Sequence, residues 1–356
     1  MAVVGSAAAG PTGEPVTVAD VAACAALFGA ASPVTGAVRA AFDNGADRVV
    51  VVRIGGAGDD ALTADAWYGP AGLDALAHAP DVDLVVLVPP HGDGDVPVPV
   101  IAAAARRCVA MGALLLVDAP AAWSHDATTL TAGTMHAEIG TWGLTGRERR
   151  HVVAVLPRLA DATGVRPAAP AFAGVLVRTE RTRGIGRPPT GREAPLAAPV
   201  RLARDMSDAV VQQATLGGCT VLRDDPAGAG VVPVAARTLA LPMDVNHRAV
   251  AHRRVLLHIE RTLVRALPAF ADAPNVPATW TRVRDAVRDF LHAMAFRGAF
   301  KAATTQEGCF VKVDESTMSP DDVRAGRMHV LVGAALTTPA EFVLVRVVQQ
   351  VVPPAA

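Results

Sequence analysis

The hydrophobic positions along this chain follow two rhythms. In the first half, short unbroken apolar runs alternate with segments whose apolar residues recur every three to four positions. "DRVVVVRI" (47–54), "DVDLVVLVPP" (81–90), "ALLLVDAP" (113–120) and "HVVAVLPRL" (151–159) are the strand-like runs. Continuous runs of this kind suit strands buried on both faces, as in a parallel sheet covered by helices. "VTVADVAACAALFG" (16–29), "PVTGAVRAAFDNGA" (33–46), a segment near 70–79, "VPVIAAAARRCVAMG" (98–112) and "APAFAGVLVRTERTRG" (169–184) read as helices. Asp20, Ser32 and Pro33 are start signals, and Asn44-Gly45 is a stop signal. The alternation predicts an α/β domain on a mostly parallel sheet. Residues 121–150 and 183–200, rich in Thr, Gly, Pro and Arg, read as loops or connections.

Near residue 228 the texture changes. One strand over 231–238 precedes two long amphipathic helices. Residues 246–270 place Val250, Val255, Ile259 and Leu263 on one stripe; residues 278–300 do the same with Val283, Val287, Phe290 and Met294. Strands then come without further alternation, beginning with "CFVKV". The expected organisation is an α/β domain over 1–227, then an α+β domain over 228–356 with two long helices on a small sheet.

The last strand poses a question of its own. Between Phe342 and Val348 the side chains alternate, placing Val343, Val345 and Val347 on one face and Phe342, Leu344, Arg346 and Val348 on the other. The few residues after it include Pro353 and Pro354, which lack backbone donors and supply no partner strand.

Composition narrows the classes. Of 356 residues, 51% are hydrophobic, ample for a sizeable core. No apolar run approaches the ~20 residues that cross a bilayer, and "MAVVGSAAAG" lacks the basic segment of a secretory leader, so a cytoplasmic protein is expected. A net charge of −1 provides no basic field for nucleic acid or an anionic membrane. Cys24, Cys108, Cys219 and Cys309 are widely separated and read as buried free thiols.

Candidate chemistry is sparse. Asp118 ends a strand at the C-terminal edge of the sheet, where open α/β folds bind ligands. A hydrolase would also need an exposed serine such as that of G-x-S-x-G, which the chain lacks. A capping or turn-forming role before Pro120 is the expected one. "RIGGAGDD" (53–60) matches neither a dinucleotide fingerprint nor a P-loop. His247, His252 and His258 are spaced by five and six, which does not stack ligands on one helix face. Asp314, Glu315, Asp321 and Asp322 lack the spacing of a calcium loop, and "SPDDVRAG" reads instead as a helix capped by Ser319 and Asp321, with Pro320 in its first turn. No metal or cofactor is expected.

The stretches "HRRVLLHIERTLVRAL", "TWTRVRDAVRDFL" and "FRGAFKAATTQEGCFVKVDESTMSPDDVRAGRMHVLVGAALTTPAEFVLVRVVQQ" occur in that order. Together they resemble the C-terminal domain of contractile phage tail sheath proteins and of the sheaths of bacterial contractile injection systems. The resemblance runs from Val231 to Gln350 and is most specific at 259–261, 313–330 and 339–343. Upstream, "EPVTVADVAACAALFG" and the residues to Ile54 resemble the family's α/β domain of subtilisin-like topology, which has no protease triad.

The resemblance implies a mechanical subunit that works without a cofactor. Its partners would be further copies of itself in a helical stack of hexameric rings, an inner tube protein, and baseplate and terminator proteins. It would assemble in the cytoplasm and bind neither nucleic acid nor membrane. It implies that Phe342, Val343, Leu344, Val345, Arg346 and Val347 form a strand linking subunits by β-augmentation. It also implies that Asp321, Asp322, Arg324 and Arg327 lie on a tube-facing segment. Two departures stand out: the family's N-terminal linking arm is expected to be absent, because Met1 falls at the first core strand, and so is the large outer insertion. The other readings are a sheath-like cap or adaptor that does not polymerise, and an α/β hydrolase-like enzyme using Asp118.

Overall fold

The computed structural model describes residues 1–54, 63–79, 81–125, 130–162, 164–197, 199–301 and 305–354. From residue 55 onward, the glycine-rich stretch after Arg53 lies outside them. The chain forms two compact units, Met1–Thr182 with Pro188–Val250, and Arg183–Arg187 with Ala251–Ala356.

The elements up to Val250 are β1 (Ala2–Gly5), β2 (Val16–Val18), α1 (Val21–Phe28), α2 (Pro33–Asp43), β3 (Val49–Arg53), β4 (Leu84–Leu87), α3 (Val98–Met111), β5 (Leu114–Asp118), α4 (Ala121–His125), α5 (Ala132–Gly140), α6 (Gly146–Arg149), β6 (Val152–Leu156), β7 (Leu159–Asp161), β8 (Gly164–Arg166), α7 (Ala169–Arg183), β9 (Arg201–Leu202), α8 (Asp208–Leu216), β10 (Thr220–Asp224), β11 (Val231–Ala235) and α9 (Val245–Arg248). The main sheet runs β11-β10-β6-β5-β4-β1-β3-β2. Its centre, from β10 to β3, is parallel, while β2 and β11 close the edges antiparallel. Its central strands are buried throughout, as their unbroken Val and Leu runs require. A small antiparallel sheet, β8-β7-β9, accompanies it.

Local signals set the element ends. Asp20 caps α1, its carboxylate accepting from the Ala23 amide at 2.7 Å. Pro33 stands in the first turn of α2, which stops at Asn44. Several expectations need correction. Residues 16–18 of the first expected helix are strand β2, because the helix begins only after its Asp20 cap. Residues 121–150 are not simply loop: α5 and α6 start there from capping boxes at Thr131 with Thr134 and at Thr145 with Glu148. The segment near 70–79 forms a 3-10 turn over Leu73–His78 rather than an α-helix. Strand β11 pairs with β10, so residues 231–250 belong to the first unit. The boundary therefore falls at Val250/Ala251 and not at 227/228.

The second unit holds α10 (Val250–Ala266, from its second residue), α11 (Pro277–Phe296), α12 (Thr305–Gly308), β12 (Cys309–Lys312), α13 (Pro320–Arg324), β13 (Arg327–Ala335) and β14 (Phe342–Gln350). Its three strands form an antiparallel sheet, β12-β13-β14. Val255, Ile259 and Leu263 of α10 and Val283, Val287 and Met294 of α11 form a core with Met328, Val330 and Val332 of β13. The stripes read from the sequence are the faces that are buried, although Phe290 is only partly so.

Candidate functional site

The chemistry of the C-terminal unit is concentrated on β14 and the elements that hold it. Strand β14 pairs antiparallel with β13 along its whole length, from Ala335↔Phe342 to Arg327↔Gln350. The partner missing from the downstream sequence is thus the preceding strand of the same chain. Among the described residues β14 has no strand on its other side, so it is the edge of its sheet. The tail beyond it is tied down: Asn275 N donates to Val352 O at 2.7 Å, and Val351 N donates to Gly326 O at 2.8 Å.

The two faces of β14 differ as the alternation predicts. Val347 joins the core and Val343 and Val345, partly buried, pack against it, whereas Leu344 is 58% and Val348 51% exposed. Phe342 meets Phe310 edge to face, with ring centres 4.9 Å apart. Phe310 lies over Gly333, where an added Cβ would come within 2.1 Å of its ring. This aromatic pair was not legible, because Phe310 and Phe342 meet only through the register of three strands.

Arg346 reaches His329 Nδ1 on β13, and His329 Nε2 lies 3.6 Å from Asp322 Oδ1. Asp322 Oδ1 also accepts from Arg327 Nε at 2.8 Å. Asp322 Oδ2 accepts from the Ser319 amide at 3.0 Å, and Ser319 Oγ accepts from the Asp322 amide at 3.1 Å. The Ser319 hydroxyl, which also donates to Asp322 Oδ2 at 2.7 Å, then the Ser319 amide and Arg327, hold the Asp322 carboxyl far below the usual range. Asp321 pairs with Arg324. All four charged residues singled out on this segment therefore have partners within the chain. The Ser319 cap is legible in the sequence, but its acidic partner is Asp322 rather than the expected Asp321, and nothing in the sequence pattern points to His329.

Asp118 sits at the end of β5, 9% exposed. Its Oδ1 accepts from the amides of Ala168 (2.6 Å) and Ala169 (3.4 Å), where the chain enters α7. Among the described residues its Oδ2 has no hydrogen-bond partner. Burial raises its pKa, against the opposing pull of Arg158 and the two amides. Arg158 donates to Gly92 O at 3.0 Å and to Asp95 Oδ1 at 2.8 Å. This arrangement caps a helix from a distant strand. No group of three or more His, Cys, Asp or Glu suited to a metal occurs among the described residues. His247 instead bonds Asp244, which also holds Arg150. All four cysteines are buried and free. No helix among the described residues is long and apolar enough to cross a membrane.

Comparison with protein-family models and with curated proteins gives no match. Solved structures match along nearly the whole chain. A chain from the baseplate of the anti-feeding prophage is 22% identical with a TM-score of 0.72, over 98% of this chain and 92% of that one. A chain from the contracted PVC sheath complex of an extracellular contractile injection system is 21% identical with a TM-score of 0.73, over 98% and 91%. The sheath tail protein of Desulfitobacterium hafniense is 13% identical with a TM-score of 0.64, over 98% and 95%. The fold of this chain is the fold of these proteins, in both units and in the same order.

Proposed function

We propose that this chain is a structural subunit of a contractile sheath, which surrounds an inner tube and contracts to drive it through a target envelope. The observation that carries the reading is the end-to-end likeness to a contracted sheath complex and a sheath tail protein, over 98% of this chain. A sheath stores energy as the difference between two packings of the same subunits, so no bond is cleaved and no cofactor is consumed. Asp118, the strongest catalytic candidate, caps a helix through Oδ1.

Strand β14 would link copies. Among the described residues no strand covers its outer edge, to which a strand of a neighbour can add. The paired β13–β14 ribbon would then be the platform, and the neighbour's strand the addition. The segment around α13 would face the tube, with Asp321, Asp322, Arg324 and Arg327 contributing weak, repeated contacts that sum around each ring. Baseplate and terminator proteins would complete the particle, assembled in the cytoplasm.

A second reading arises from the baseplate match: a sheath-like cap or adaptor that sits at one end and does not polymerise. Negative-stain microscopy of the purified chain, alone and with the tube protein, separates the two. Rings or hollow cylinders are expected. Monodisperse particles that decorate only tube ends would replace the sheath reading with the adaptor.

A further inference from the structure

His329, Arg346, Asp322 and Arg327 join β13, β14 and α13 into one charged cluster. His329 is 7% exposed. A guanidinium only donates hydrogen bonds, so the His329 Nδ1 facing Arg346 must be an acceptor, which leaves the ring proton on Nε2, towards Asp322. The neutral ring accepts from Arg346 and turns its N–H towards Asp322, 3.6 Å away. A second proton would go on Nδ1, against a permanent cation, and would remove the acceptor that Arg346 uses. Asp322 can offset this only in part, because its Oδ1 already serves Arg327 and its Oδ2 serves Ser319. The turn after β12 adds Asp314, whose Oδ1 accepts from the Ser316 amide at 2.9 Å, while Thr317 Oγ1 contacts the carbonyls of Asp314 and His329. On β12, Lys312 adds a further cation to the sheet.

We propose that His329 is an acid-sensitive latch on β14: when the ring takes a second proton, Arg346 is expelled and the 346–350 end of the strand loosens from β13. Burial first, and then Arg346, lower the His329 pKa, while Asp322 pulls it up. A histidine whose pKa is lowered in the folded state binds its proton better once released. Its contribution to holding β14 is therefore complete above the ordinary histidine pKa of about 6.5 and falls as the pH drops below that value. The latch belongs to the isolated chain. That its opening changes how β14 meets a neighbouring copy rests on the sheath reading.

The test is hydrogen–deuterium exchange of residues 342–350 in the full, unassembled chain at about pH 7.5 and about pH 5, corrected for intrinsic exchange, a range that spans histidine titration. In the wild type, protection of 346–350 should fall on acidification, by about tenfold for each unit by which the His329 pKa is lowered. His329→Gln keeps an acceptor for Arg346 but takes no proton, so its protection should not depend on pH. Arg346→Gln should raise the His329 pKa, read from the imidazole resonance by NMR. Equal pH-dependent loosening in wild type and His329→Gln overturns the latch, and so does wild-type protection that stays constant. If His329→Gln does not fold, an unchanged His329 pKa in Arg346→Gln overturns it instead. Microscopy of separate assembly mixtures, the chain with the tube protein at each pH, keeps the two ideas apart: no rings or cylinders at either pH alongside the expected exchange would remove the sheath reading and leave the latch.

Discussion

Asp118 caps α7 with one carboxylate oxygen and leaves the other buried without a hydrogen-bond partner among the described residues. Asp118→Asn keeps an acceptor for both amides and removes the buried carboxylate. It should change stability by no more than about 1 kcal/mol at neutral pH, whereas Asp118→Ala, which strands two donors, should cost about 1–3 kcal/mol. Because burial raises the Asp118 pKa, the folded state binds the proton more tightly than the unfolded one. Its contribution is present at acid pH and lost as the pH rises through the folded-state value. Urea unfolding should therefore show wild type gaining on Asp118→Asn as the pH falls. A gap that moves the other way contradicts the raised pKa. Single residues were legible where their partners are close in sequence, as at Asp20 and Ser319. His329 was invisible because Arg346 meets it only across a hairpin, and the reach of Asp118 to Ala168 likewise crosses between elements.

Helices α2 and α7 touch through Gly174. An added Cβ would lie 2.3 Å from Ala41 O and 2.7 Å from the Asn44 Cβ, and neither backbone can yield easily. Gly174→Ala should cost about 1–3 kcal/mol or more, read as a lowered thermal midpoint of the first unit. Strand β14 gives a second test at this scale. Ending the chain at Pro339 removes Val347 from the core of the second unit, together with Val343 and Val345, which pack against it. The first unit should then resist proteolysis as before, while the second is cut rapidly. Equal resistance of both units would mean that β14 adds nothing to its own sheet. The strand itself was legible from its alternation, but a period of two identifies no neighbour. For that reason the sequence pattern puts β11 in the wrong unit and does not reveal β13 as the partner of β14. Helices α5 and α6 escape it because they are short and announced mainly by their caps.

At the scale of the whole molecule, the succession of an α/β half and a part with two long helices was legible because amphipathic stripes and buried runs each mark an element locally, whereas surfaces that meet other chains leave no such periodicity. The proposed tube contact is therefore tested directly. Arg324→Glu leaves the Asp322–Arg327 pair intact and should lower co-sedimentation with the tube protein at low ionic strength, with unchanged circular dichroism, since exposed charges are screened by salt. Binding unaltered across a salt titration would place the tube contact elsewhere. The central claim is that copies of this chain build a cylinder through the free edge of β14. The most direct measurement is a cryo-EM reconstruction of the assembled chain with its tube protein, resolved well enough to trace strands. The expected map is a hollow stack of rings in which a strand from a neighbouring copy lies beside Phe342–Gln350 as the next member of the β12-β13-β14 sheet. A map in which that edge faces solvent, with the copies joined through other surfaces, would contradict it.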